Sequence, residues 1–182
     1  MKKLITVALA SMLIGCMAGM PNNIRQTEST FDGSTELSME PGLVYGSTDT
    51  FSGSAIQLGL FWNTKLKDKI VITATVSGLE RIENNNSLLF NIDGEITSLS
   101  AANSLTDYEI STTGGIISDT SSKRFLTTRT FIEKLLSSQS VKVRLNLAGT
   151  YADGDFTADK ASAAIRGFHS FMQRVDATKQ NI

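Results

Sequence analysis

Few residues of this chain have the type and spacing to do chemistry, and each stands in a setting that limits it. His169 is the only histidine, so sites that need two imidazoles are excluded and at most one ordinary proton shuttle is left. It falls on the flank of a C-terminal apolar stripe at helical spacing, about a quarter turn from the centre, where a half-exposed helix residue is the expectation. Asp153, Asp155 and Asp159 crowd one stretch, and carboxylates at alternate positions suit calcium. The spacing is not that of an EF-hand: Gly154 stands between the first two acids and no glutamate closes the set. A hairpin turn at Asp153-Gly154 followed by an aspartate cap is the simpler expectation. Glu80 and Glu83 could form a glycosidase pair, yet carboxylates three apart beside Asn84-Asn85-Asn86 read as a solvated loop. No Gly-x-Ser-x-Gly elbow occurs, which leaves the many serines to turns, caps and strand faces. Phe61, Trp62 and Phe90 could line a ligand surface, but aromatic residues inside strand patterns are expected as core. The expectation is no catalytic residue, no metal ligand set and no cofactor.

The one residue whose surroundings are specific is Cys16, the only cysteine. It follows Met1, Lys2 and Lys3 and an uncharged apolar run from Leu4 to Ile14, the charged and apolar regions of an export signal. Eleven residues rise only about 16 Å as a helix, short of the roughly 30 Å bilayer core. The uncharged stretch counted on to Met20 nears the lower limit for a spanning helix, so the residues at its end decide. Leu13-Ile14-Gly15-Cys16 resembles the lipobox of bacterial lipoproteins: an aliphatic residue, a permissive one, a small one, then cysteine. The resemblance implies that the Cys16 thiol takes a diacylglyceryl group, that cleavage follows Gly15, and that the new amine is acylated, commonly with palmitate. The residues suit that chemistry, because sulfur is the most readily alkylated side-chain atom and glycine lets a protease approach the backbone. If the cell is Gram-negative, Met17, in place of an aspartate after the cysteine, implies the outer membrane by the sorting rule of that family. Attachment through two or three acyl chains is expected to be stable and to resist salt.

Removing the leader takes Lys2 and Lys3 with it and leaves 15 basic against 18 acidic residues, net −3. A near-neutral surface of mixed sign argues against nucleic acid, which calls for a clustered basic stripe. One cysteine cannot close an intrachain disulfide, and a chain of 182 residues, 41% of them hydrophobic, has material for a core without a metal or disulfide framework.

The elements that must position any site follow from periodicity. Residues 1–15 are expected as signal peptide, 16–29 as an irregular lipidated tether with Pro21 and Asn22-Asn23, and 30–182 as one domain. Thr35 to Met39, Ala55 to Trp62, Lys69 to Val76, Ser87 to Ile92, Glu95 to Leu99 and Ser140 to Tyr151 alternate or run apolar and read as strands. Turn signals stand at Thr64 to Asp68, Asp93-Gly94 and Asp153-Gly154. Ser100 to Ser122, with Gly114-Gly115, reads as a long, weakly ordered connection. Thr130-x-x-Glu133 fits a capping box before a short helix ending at Ser137-Ser138. A second helix, from about Asp159 to Ala177, carries Ala161, Ala164, Ile165, Phe168, Phe171, Met172 and Val175 as its apolar stripe. Strands followed by helices give an α+β domain, an antiparallel sheet with the C-terminal helix packed on it.

The C-terminal third, Lys123-Arg124-Phe125 through Phe131-Ile132, Val141 to Leu147, Tyr151, Gly154 and Phe156, resembles bacterial lipoproteins without an assigned activity. That resemblance implies a shared domain type and supplies no functional residue. The function expected is a membrane-anchored envelope lipoprotein, a non-enzymatic binding or structural module for an envelope protein or ligand. The alternative is an envelope hydrolase with a carboxylate or serine site.

Overall fold

Alternation of apolar and polar residues commits most of this chain to antiparallel strands. The computed structural model describes residues 23–49, 55–157 and 162–180. The elements run β1 (Ile24–Glu28), β2 (Thr35–Leu43), β3 (Tyr45–Asp49), β4 (Ile56–Asn63), β5 (Lys69–Ser77), β6 (Leu88–Ile92), β7 (Glu95–Leu99), β8 (Asp107–Thr113), β9 (Ile116–Thr128), α1 (Arg129–Ser137), β10 (Val141–Leu147), β11 (Thr150–Asp155) and α2 (Ala163–Lys179). One sheet has the order β1-β2-β4-β5-β9-β8, the other β3-β11-β10-β6-β7. The α+β class stands, with the antiparallel strands divided between two sheets.

The period of two puts every second side chain on one face. In the six-stranded sheet Leu37, Leu58, Leu60, Trp62, Ile72 and Phe125 are buried, and in the five-stranded sheet Leu88, Phe90, Val143 and Leu145 are. These faces belong to one apolar cluster together with the helices. Helix α2 lies against β2 and β4 and buries Phe168, Phe171 and Val175. Edge-on rings join the elements: Phe168 to Phe156 at 4.9 Å, Phe156 to Phe90 at 6.5 Å and Phe90 to Phe131 at 5.5 Å between centroids. Phe90 of β6 thus touches rings from α1 and from the segment after β11.

Both helices begin at hydroxyl caps. Thr128, not Thr130, caps α1, its Oγ1 accepting from the Phe131 amide at 3.2 Å. The expected box fails because the chain turns helical straight from the end of β9. Ser162 Oγ accepts from the Ile165 amide at 3.3 Å and caps α2. Asp159, the expected start, lies outside the described residues, as do Leu13, Ile14, Gly15 and Cys16.

Three further expectations are corrected. Ile24–Glu28, read as part of a tether, is β1, pairing with β2 from Ile24 opposite Met39 to Glu28 opposite Thr35. An edge strand with one half-buried residue leaves almost no periodic trace. The stretch Ser100 to Ser122 holds the β8–β9 hairpin, turned at Gly114 (φ 60) and Gly115 (φ 84). Two consecutive positive φ values are the type I′ requirement that two glycines meet. Asp153-Gly154 lies inside β11 and is not a turn; the chain reverses at Ala148-Gly149, with Gly149 at φ 88.

The pairing of β2 with β4 slips between Met39 and Gly42, so Glu40 and Pro41 bulge over β4. Gly59 permits this. A Cβ there would stand 2.8 Å from the Met39 carbonyl oxygen and 3.2 Å from Pro41, which marks a glycine held by close backbone approach.

Candidate functional site

The outward face of the five-stranded sheet carries a cleft of about 500 Å³ lined by Tyr45, Leu89, Asn91, Ile96, Lys142, Arg144, Asp153 and Asp155. The sequence of β10, Val-Lys-Val-Arg-Leu-Asn-Leu, explains its chemistry. Val141, Val143, Leu145 and Leu147 face the core, which sends Lys142 and Arg144 outward. Register then assembles two rows across the strands. Tyr45, Asp155, Lys142, Asn91 and Ile96 form one, and Asp153, Arg144, Leu89 and Ser98 the other. β3 enters this face through a bulge between Tyr45 and Thr48, where Gly46 adopts φ 59, a left-handed conformation suited to glycine.

At the centre Arg144 grips Asp153 with two hydrogen bonds, Nε to Oδ1 at 2.6 Å and Nη2 to Oδ2 at 2.7 Å. The hydrogen bonds to Asp153 raise the Arg144 pKa above its ordinary value, with burial opposing. The guanidinium also lies 3.8 Å from the centroid of the Tyr151 ring, so ring and fork together fix its plane. Lys142 makes no ion pair among the described residues. Asp155 Oδ1 accepts from the Thr157 amide at 2.9 Å. The cleft therefore offers the remaining donors of a guanidinium held from two sides, an ammonium without an ion pair among the described residues, an amide, and apolar or aromatic rims at Ile96 and Tyr45. That arrangement can recognise a polar ligand. Both oxygens of Asp153 are occupied by Arg144.

The other candidates are placed apart. His169 is exposed on α2. Glu80 and Glu83 flank Ile82, which is buried and bridges to Leu147; their amides donate to Ser121 Oγ and the Asn146 carbonyl, so this loop is held by its backbone. Trp62 and Phe90 are core, and Phe61 is half-buried on the opposite face of β4. Asp153 and Asp155 do share the cleft, while no group of three His, Cys, Asp or Glu among the described residues is arranged to hold a metal ion. No described helix is long and apolar enough to cross a membrane. Sequence reasoning missed Arg144, Lys142, Tyr45 and Asn91, although the alternation in β10 could have found the first two.

It also missed Lys123, a cation only 1% exposed on the core face of β9. Its ammonium donates to the Ile82 carbonyl at 2.9 Å, to Asn84 Oδ1 and to the Ser104 carbonyl at 3.4 Å, so three donors tie two loops to the strand. Desolvation, and then Arg81, pull its pKa below the ordinary 10.5, with Asp107 opposing. Between the lowered value and 10.5 the unfolded chain binds more protons than the folded one, so Lys123's contribution to stability rises with pH across that window. Urea denaturation of wild type and Lys123→Met at several values from neutral to strongly alkaline pH is expected to show wild type gaining on the variant as pH climbs. A difference that is flat or falls contradicts this.

In comparisons with known proteins, no family model, no curated protein and no solved structure matches the chain.

Proposed function

We propose that this chain is a lipoprotein of the bacterial cell envelope, anchored through a lipid on Cys16, and that its domain binds a ligand or partner in the cleft around Arg144. The anchor reading rests on Lys2, Lys3, the short apolar run and Leu13-Ile14-Gly15-Cys16. With Ile24 already in β1, the steps from Cys16 to Ile24 reach at most roughly 28 Å. An acyl anchor on Cys16 therefore keeps the domain within a few nanometres of the bilayer, on the periplasmic face of the outer membrane if the cell is Gram-negative.

The binding half rests on a single observation: a bidentate Arg144–Asp153 pair, backed by Tyr151, in a cleft lined by residues of the five-stranded sheet alone. A partly exposed pair of this kind is worth at most about 1 kcal/mol to folding, so its geometry contributes more to recognition than to stability. The competing reading, an envelope hydrolase, draws on the two carboxylates in the same cleft.

A photo-crosslinking residue placed at Ile96, on the rim, tests both in the full chain within its own envelope. The expected result is a discrete adduct that Arg144→Ala abolishes while the melting temperature moves by no more than about 4 °C. No adduct, together with turnover in an unbiased hydrolase screen that Asp153→Asn or Asp155→Asn removes, would transfer the assignment to the enzyme.

A further inference from the structure

Of the two edge strands of the six-stranded sheet, β1 and β8, β8 is built unlike the rest of the molecule. Pairing of β5 with β9 stops at Ser77 opposite Thr120, and the Gly78 amide still donates to the Asp119 carbonyl at 2.9 Å, so residues 116–118 of β9 have only residues 111–113 of β8 beside them. They form a two-stranded ribbon that leaves the body. Such a ribbon is marginal in water, and its unpaired edge is a template for another strand. No described strand pairs with the outer edge of β8.

The two faces of the ribbon differ. Tyr108, Ile110 and Ile117 are 54%, 65% and 72% exposed on the face that continues the core side of β9, where Ser121 and Phe125 are buried; the half-buried Asp119, opposite Ile110, shares that face. Glu109, Ser111 and Ser118 take the other face, with the Ser111 and Ser118 hydroxyls bonded to each other at 2.7 Å. Lysine, proline and a bulge, three of the usual protections of an edge, are missing: β8 reads Asp-Tyr-Glu-Ile-Ser-Thr-Thr, with Asp107 and Glu109 as its only charges, and its register with β9 runs unbroken.

Hairpin geometry fixes which groups the edge offers. The two-residue turn makes Thr113 and Ile116 the closing, hydrogen-bonded pair. Alternation from there leaves the N–H and C=O of Tyr108, Ile110 and Thr112 directed to the open side.

We infer that β8 pairs with β8 of a second copy of this chain, antiparallel about a two-fold axis at Ile110, joining two six-stranded sheets edge to edge. The strand is complementary to itself in this register. Ile110 meets Ile110 of the second copy, and Tyr108 meets its Thr112. Glu109 falls opposite Ser111 and Asp107 opposite residue 113, so no two carboxylates face each other. Moving the axis to Glu109 would set that carboxylate against itself, a destabilising arrangement. The contact is isologous and closes as a dimer, and it does not depend on lipidation of Cys16.

The test uses the full chain carrying Cys16→Ser in mild detergent, so that an added cysteine is the only thiol. A hydrogen-bonded antiparallel pair sets Cα atoms about 5.5 Å apart, within disulfide range. Ile110→Cys is therefore expected to form a disulfide dimer under gentle oxidation, whereas Phe31→Cys, at a site 95% exposed, is expected to stay monomeric. Sedimentation velocity is expected to give a dimer without added cysteine and a monomer with Ile110→Lys, at an unchanged circular dichroism spectrum. A monomeric parent chain, a dimer that survives Ile110→Lys, or equal cross-linking at positions 31 and 110 overturns the inference. Should Ile110→Lys fail to fold, the disulfide comparison alone decides.

Discussion

Replacing Phe90 by alanine is expected to cost about 3–5 kcal/mol, the range for deleting a fully buried aromatic ring. Phe90 is 0% exposed and is the ring that Phe131 and Phe156 both meet edge-on, so truncation opens a cavity where β6, α1 and the segment after β11 converge. Typical domains are stable by only about 5–15 kcal/mol, and the melting temperature of a domain this size is expected to fall by something on the order of 10 °C. Phe61→Ala, on the half-buried opposite face of the other sheet, is expected to cost markedly less. Urea denaturation of the three proteins measures this. A cost below about 1 kcal/mol for Phe90→Ala, or one no larger than for Phe61→Ala, contradicts the account of a core shared by both sheets and the helices.

Cys16→Ser is expected to have the largest effect on where the protein is found. Two or three acyl chains at about 0.8 kcal/mol per buried CH2 hold a protein effectively permanently at a bilayer. A hydroxyl is a far weaker nucleophile than a thiolate, so without the thiol no such chains are attached. On fractionation, wild type is expected in the membrane pellet after a high-salt wash. The variant is expected in the soluble fraction, or retained as an uncleaved precursor. Equal distributions for the two proteins would remove the basis for the anchor.

Strong burial of one face was what the sequence expressed clearly. β4, β5, β6 and the apolar face of α2 leave alternation or helical spacing because every second or third residue enters the core, and Asp93-Gly94 announced the β6–β7 hairpin through turn chemistry although β7 buries no residue. Other elements with little burial were silent. β1 is an edge strand with polar residues on both faces, and β3 gives no strand signal because its bulge interrupts alternation at Gly46. The β8–β9 ribbon projects beyond the core, so its apolar residues look sparse and its Gly-Gly turn looks like slack. Asp153-Gly154 misled for a related reason: the local signal for a turn was real, but pairing with both β3 and β10 held the segment in a sheet.

The cleft was legible only in part. The alternation in β10 set Lys142 and Arg144 on one face, and Asp153 and Asp155 were visible as a cluster, although calcium was the chemistry they suggested. That Asp153 instead meets Arg144 follows from cross-strand register, which places positions 144 and 153 opposite each other. Tyr45 and Ile96 reach the same cleft from the two far edges of the sheet. Such neighbours are set by topology, and no short stretch of sequence contains it. Lys123 was hidden in the same way, because its partners come from loops some twenty and forty residues away.

The proposal that this is a lipid-anchored binding domain is tested most directly by the mass of the mature N-terminal peptide, isolated from the native membrane and measured intact. The account predicts a chain that begins at Cys16 and carries a thioether-linked diacylglyceryl group, with or without an acyl chain on the amine. An unmodified Cys16, or a mature terminus at any other residue, would contradict it.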